Sequence, residues 1–355
     1  MGWKVPVVSH WGPAGGRFTE LAGPNARNVH FVQTYSFFGT QTPVSTRVIN
    51  ELKAKYSDVK GPDDITPAVG VANAYDATQL AALAIAGVFA LMLAVSRVPG
   101  AERLIPWPLH FFEKGLVIHV VYSFVVWFLC LLGALVAATT YHLDGGRSRG
   151  RATGRSAVWL VTAGEILLMI PALKHDTQPS LNNYVPTVID PLYYLGLVFM
   201  FMGVLFVVLR LAAAFLRRVN EPGPGGVGVL LTGLIYIAAF ACFAVTFHAA
   251  SGEPTSVELN ERLFWGGGHV LQFVNTGLML CAWWALAGAA GRPFSGSLFF
   301  WAVAALALFA LIGPALYWIF PAFSAEQTQA FTDLQYLLAP APVVLAAAFL
   351  FTGSG

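Results

Sequence analysis

Lys114-Gly-Leu-Val-Ile-His-Val-Val-Tyr-Ser-Phe-Val-Val-Trp-Phe128 is the stretch that decides what kind of molecule this is. It lies in the run 111–139, which carries no charge after Lys114. At 1.5 Å per residue, such a run reaches across the roughly 30 Å of hydrocarbon in a bilayer. Working outward, comparable runs occupy 156–173, 188–216, 226–248, 263–289, 296–320 and 335–352, with a shorter one at 80–96. The pattern predicts an all-α polytopic membrane helical bundle of about eight spans over residues 79–355.

Composition leads to the same class. The chain is 57% hydrophobic and only 11% charged, whereas a soluble domain carries about a quarter charged residues. Most of this surface therefore meets lipid, and the bilayer is the first partner implied. The charged residues crowd into the first 76 positions and the breaks between apolar runs. A net charge of +2 with no continuous basic stripe argues against a nucleic-acid partner. Cys130, Cys242 and Cys281 each sit inside an apolar run without CxxC spacing, so they read as small packing residues.

Residues 1–78 read differently, as a small α/β fragment. Lys4–Val8 and Val29–Val32 are short β-type runs, and Gly15–Gly23 brackets a helical turn or two. Thr42-Pro43 opens a helix over 44–56, and Gly61-Pro-Asp-Asp64 is a loop. The segment is too short to be expected to fold alone. Its N-terminus has no apolar stretch of the kind a secretory signal needs.

The breaks set an orientation. Arg147, Arg149, Arg151, Arg155, Arg217, Arg218 and Arg292 fall on one side of the expected bundle. Arg97, Arg103, Lys114, Lys174 and Arg262 fall on the other, offset by Glu253, Glu258, Glu326 and Asp333. The arginine-rich side is expected to be cytoplasmic, which puts both termini inside.

Two histidines lie within spans, where ionisable groups are costly and usually face the bundle interior. His119 has Tyr122 and Ser123 on its helix face; His269, in Leu263-Phe-Trp-Gly-Gly-Gly-His269, has Gln272 and Thr276. Each falls roughly 10 Å below the same expected membrane surface. Two imidazoles at one level suit a buried haem or metal site, and hydrogen bonds to neighbouring helices suit them equally. Gly266-Gly-Gly268 admits either a flat cofactor or a close helix. Glu165, midway along a span, reads as a proton relay or a paired structural carboxyl. His110, His142, His175 and His248 fall near span ends and read as interfacial, as do Trp107, Trp265 and Trp318.

The region around His119 and the Leu-Phe-Trp-Gly-Gly-Gly-His-Val-Leu-Gln-Phe motif resemble subunit I of the haem–copper oxidases over residues 85–350. Leu181-Asn-Asn-Tyr-Val-Pro186 looks like the same divergent bacterial branch. The resemblance implies a bacterial cytoplasmic-membrane respiratory protein, with other respiratory membrane subunits or a cytochrome c as partners. It implies His119 as an axial ligand of a low-spin haem and His269 as a copper ligand. The family's tyrosine four residues beyond that copper ligand is Phe273 here, and no histidine follows His269. The expectation is therefore an incomplete oxidase subunit, non-catalytic alone, with at most partial haem binding at His119.

Val5–Gly12, Phe31–Phe38 and Val71–Ala77 resemble part of the C-terminal lobe of a periplasmic binding protein for branched-chain amino acids. No ligand binding is expected of one partial lobe, and the join near Ile85 reads as a fusion. The rival reading is a permease component with a tethered binding-protein-like segment. A third is a non-catalytic membrane subunit whose partner supplies the missing helices.

Overall fold

The computed structural model describes residues 7–9, 29–31, 43–55, 84–101, 108, 110–145, 149–289 and 292–351. The chain divides into two compact units, 1–81 and 82–355. In the first, β1 (Val7–Ser9) pairs in parallel with β2 (Val29–Phe31), Val7 opposite Val29. Helix α1 (Pro43–Lys55) follows, with proline at its start where no backbone N–H is needed. The Gly15–Gly23 turn, the Gly61–Asp64 loop and the Val71–Ala77 stretch lie outside the described residues.

The second unit is a helical bundle, and the protein is a polytopic membrane protein. Seven helical segments among the described residues are long and apolar enough to cross a bilayer. They are α3 (Phe111–Leu143), α4 (Arg151–Met169, running on as a 3-10 turn to Leu173), α5 (Pro191–Arg217), α6 (Gly223–Ala249) and α7 (Val257–Ala289), followed by two composite segments. One is α8 (Gly296–Ala310) with α9 (Ile312–Ile319), broken at Leu311. Pro314 explains the break, since it has no N–H for the carbonyl four residues back. The other is α10 (Ala325–Leu334), a 3-10 turn Gln335–Leu338, and α11 (Pro340–Phe351).

Of the eight runs expected, that at 80–96 is the exception. It appears as α2 (Ala84–Ser96), whose described turns reach about 20 Å. Residues 80–83 lie outside those described. Two other spans begin earlier than their apolar runs. Helix α7 takes in Glu258, Glu261 and Arg262, and the last segment takes in Glu326 and Asp333. Hydropathy discards such charges, of which Glu258 and Glu326 lie in the first turns, although a helix start tolerates them when they meet water or a partner.

Helices pack closely where side chains are small. A methyl group built on Gly164 of α4 would lie 2.7 Å from the Gly196 carbonyl of α5, and one on Gly196 would lie 3.0 Å from the Gly164 carbonyl. Lipid tails are as apolar as leucine, so helix association in a bilayer depends on this kind of backbone approach. Between α4 and α5 the chain forms a hairpin, β3 (Gln178–Ser180) antiparallel to β4 (Thr187–Ile189). The hairpin is held at both ends. Lys114 of α3, wholly buried, donates to the Lys174 carbonyl and to Thr177 Oγ1 at 3.3 Å. Asp190 caps α5 through the Leu192 N–H at 2.8 Å and pairs with Lys174 at 2.7 Å. Lys114, expected as a boundary charge, is thus an internal pin, while Lys174 stays partly exposed as expected and pairs with Asp190.

Gly196→Leu should drive α4 and α5 apart, at a cost of about 1–3 kcal/mol or more. Thermal unfolding of the purified protein in nanodiscs should show a lowered midpoint, with Gly133→Ala in α3, where an added methyl meets nothing within 4 Å, as the control.

Candidate functional site

His269 is fully buried, at 1% exposure. It lies one turn beyond Trp265 on α7. Its Nδ1 lies 2.7 Å from the Trp265 carbonyl and its Nε2 lies 2.9 Å from the Tyr184 hydroxyl. A carbonyl only accepts, so Nδ1 carries the proton and Nε2 accepts from Tyr184. Tyr184 and Trp265 also pack on the imidazole, with ring centroids 4.3 and 4.8 Å away, and Phe331 of α10 closes the far side at 6.0 Å. Gln335 donates to the His269 carbonyl at 3.1 Å.

Tyr184 reaches His269 because the hairpin loop 181–186 is tied to α7. Asn183 donates through its backbone N–H and its amide to Glu261, at 2.9 and 2.6 Å. Asn260 donates to Thr187 at 2.9 Å and accepts from Tyr194 at 2.9 Å. Within the loop, Asn182 donates to the Val185 carbonyl at 2.6 Å. Tyr184 itself adopts φ +66°, a left-handed conformation that a bulky residue rarely takes. Burial, then the negative charge of Glu261, pushes its phenol above the ordinary value of 10.0.

Where the sequence left the glycine run open to a cofactor or a helix, the structure fills it with aromatic side chains. A Cβ on Gly266 would collide with Tyr317 and Phe331, one on Gly267 with Phe243, and one on Gly268 with Tyr184. Trp265, expected at the interface, instead belongs to the histidine's surroundings and donates to the Thr328 carbonyl at 3.2 Å.

His119 sits elsewhere. Its ring is half-buried and its Nδ1 lies 2.9 Å from the Ala86 carbonyl of α2. That bond puts the proton on Nδ1, and the Nε2 lone pair has no hydrogen-bond partner among the described residues. The partners of the two histidines are disjoint. A π-helical turn, Tyr122–Val126, follows His119, and the Tyr122 hydroxyl donates to the Glu165 carbonyl. The Glu165 carboxyl accepts from the Cys130 thiol at 3.4 Å, a cysteine from another span serving as its polar neighbour. His110, His142, His175 and His248 are exposed.

These contacts bear on haem and copper. Both His269 nitrogens are engaged and the glycine notches are full. No trio of histidine, cysteine, aspartate or glutamate among the described residues is placed to hold a metal ion. As folded, the residues around His269 do not fit copper. His119 presents one free imidazole nitrogen, with its other nitrogen anchored on a carbonyl as histidine ligands commonly are.

No known family profile matches the chain, and no solved structure matches it. An uncharacterized protein of Aquifex aeolicus is 31% identical over 205 residues, 57% of this chain and 49% of that protein. An uncharacterized protein of Rickettsia prowazekii is 24% identical over 241 residues, 61% of this chain and 46% of that protein. The chain thus spans about half the length of the curated relatives it matches. Those comparisons carry a likeness and no activity.

Tyr184→Phe removes one hydrogen bond to a buried imidazole and should cost about 1 kcal/mol, seen as a lower unfolding midpoint. The folded state favours the neutral phenol. Its contribution is therefore full below the ordinary value of 10.0 and is lost as pH rises through the higher folded value. In ultraviolet titration, the difference between the native protein and Tyr184→Phe should isolate a tyrosine that ionises above the ordinary value of 10.0, and that difference should move to lower pH in the Glu261→Gln background.

Proposed function

We propose that this chain is a membrane subunit equivalent to the front part of a haem–copper oxidase subunit I, non-catalytic on its own. Its seat is the bacterial cytoplasmic membrane, with the arginine-rich face inside. The observation that supports the reading is His119 within the α3 span, its Nδ1 held at 2.9 Å on the Ala86 carbonyl and its Nε2 without a hydrogen-bond partner among the described residues. A permease has no evident need of a buried histidine closed off on each side by aromatic rings. Respiratory membrane subunits or a cytochrome c are the partners this reading implies.

His119 offers a single nitrogen, and a bis-imidazole haem needs a second from another chain or helix. Haem, when bound, would supply one-electron chemistry; the chain's own part is to hold His119 by its Nδ1 on the Ala86 carbonyl. Glu165, with Cys130 as its polar neighbour at span depth, is the residue on this reading that could hold a proton within the bilayer.

Expression in haem-replete membranes followed by a reduced-minus-oxidised spectrum is the test. Sub-stoichiometric haem that disappears in His119→Ala and persists in His269→Ala is expected, without oxygen consumption. A stoichiometric low-spin haem accompanied by oxygen uptake would overturn the reading.

A further inference from the structure

Helices α7 and α11 both pack against α8 and both end on the arginine-rich side of the bundle. Between their last turns lies a half-open cavity of about 410 Å³, whose walls include Trp283, Leu286 and Ala287 of α7, Phe294 of the connection to α8, and Ala346 and Phe349 of α11. Its size falls within the roughly 300–1,000 Å³ of small-molecule sites. Ala287 and Ala346 contribute only methyl groups, which leaves the space between the two helices unfilled. No charged side chain lines it.

The cavity's rim, in contrast, is cationic. The Arg292 backbone N–H donates to the Ala287 carbonyl at 2.9 Å, and its Nη2 donates to the Phe349 carbonyl at 3.1 Å. The guanidinium also lies 4.6 Å from the Phe349 ring, which is itself 5.8 Å from that of Phe294. The arginine is thus fastened to residues that form the cavity wall. A guanidinium carries five N–H donors, and the Phe349 carbonyl takes one. Arg218 and Arg262 pair with Glu221 and Glu253; Arg292 is exposed and has no acidic partner among the described residues.

Depth fits these two parts together. Helix α7 ends at Ala289, which puts Trp283 roughly 9 Å inside the span at 1.5 Å per residue. Half of the hydrocarbon core is about 15 Å, so the cavity lies within a single leaflet, with the cation at its headgroup end. Capping the end of α11 accounts for one contact of Arg292 and leaves the apolar space below it unexplained.

We infer that this cavity is a binding site for an anionic phospholipid, which lays an acyl chain against Trp283, Leu286 and Phe349 and places its phosphate on Arg292. A purely apolar guest would leave the guanidinium without an anion, and a soluble anion would leave the apolar walls empty. A lipid of net negative charge satisfies both, as basic pockets at the ends of membrane helices do for acidic headgroups. Nothing in this inference depends on haem, so its failure and that of the oxidase reading are separable.

The test uses the purified full chain in phosphatidylcholine nanodiscs doped with phosphatidylglycerol or phosphatidylcholine brominated on the acyl chains, which quenches tryptophan on contact. The Trp283 signal is the difference between the native protein and Trp283→Phe. Brominated phosphatidylglycerol should quench it saturably, at about fivefold lower mole fraction than brominated phosphatidylcholine, the preference that one arginine confers near anionic lipid. Arg292→Gln should make the two lipids equal, and Arg292→Lys should keep most of the preference. Ala346→Phe fills the cavity with the cation left in place; it should abolish the saturable component, and it stands in if Arg292→Gln does not fold. Glycerol phosphate in solution should not relieve the quenching. Equal quenching of the native protein by the two lipids, or a preference that survives both Arg292→Gln and Ala346→Phe, would overturn the inference. So would relief by glycerol phosphate, which marks a free-phosphate site, or a Trp283 reached by neither lipid because a second copy covers it.

Discussion

In hydrocarbon, a polar group has no water to fall back on, and every backbone amide or ionisable side chain must find its partner within the protein. This constraint explains the architecture from the bottom up. It makes the spans helical, because only a helix closes its own hydrogen bonds. It makes glycine valuable where α4 meets α5, since contact between backbones replaces the missing hydrophobic drive. It also explains the hairpin between those helices. The 174–190 segment has its own polar groups to satisfy, and it does so against Lys114, Asn260 and Glu261 rather than against solvent alone.

The same requirement builds the surroundings of His269. An imidazole 1% exposed needs both nitrogens occupied. The helix offers the Trp265 carbonyl to one, and the loop brings Tyr184 to the other. The positive φ of Tyr184 is the local strain that this bond, the aromatic packing and the Asn183–Glu261 pair together hold in place. His119 and Glu165 solve the problem with neighbours of their own: an α2 carbonyl for the first, a cysteine thiol for the second. Three polar residues that look alike in a hydropathy profile therefore end in three different chemical situations. One is sealed, one retains a free lone pair, and one is lightly paired.

Gln327 shows the constraint from its unfilled side. Its carbonyl is used to start a helix and its amide hydrogens are left over, buried without an acceptor. Thr232, Thr246 and Tyr236 close onto nearby carbonyls, whereas Asp144, Asn275 and Gln327 keep buried polar atoms without a hydrogen-bond partner among the described residues.

Fold class was legible in the residues alone, because span length and charge exclusion follow directly from bilayer thickness and need no knowledge of neighbours. The helical bundle, its approximate span borders, the exposure of the four border histidines and the burial of His269 belong to that category. What surrounds each buried group was not legible. Tyr184 stood in a loop motif, 85 residues from His269, and Glu165 stood 35 residues from Cys130. The glycine run before His269 admitted a cofactor and a side chain equally until Tyr184, Phe243 and Tyr317 were seen to fill it. Charged first turns at Glu258 and Glu326 hid the true helix starts. Local periodicity states which residues must leave water; only the tertiary structure decides which partner each one meets, because those partners come from distant parts of the chain.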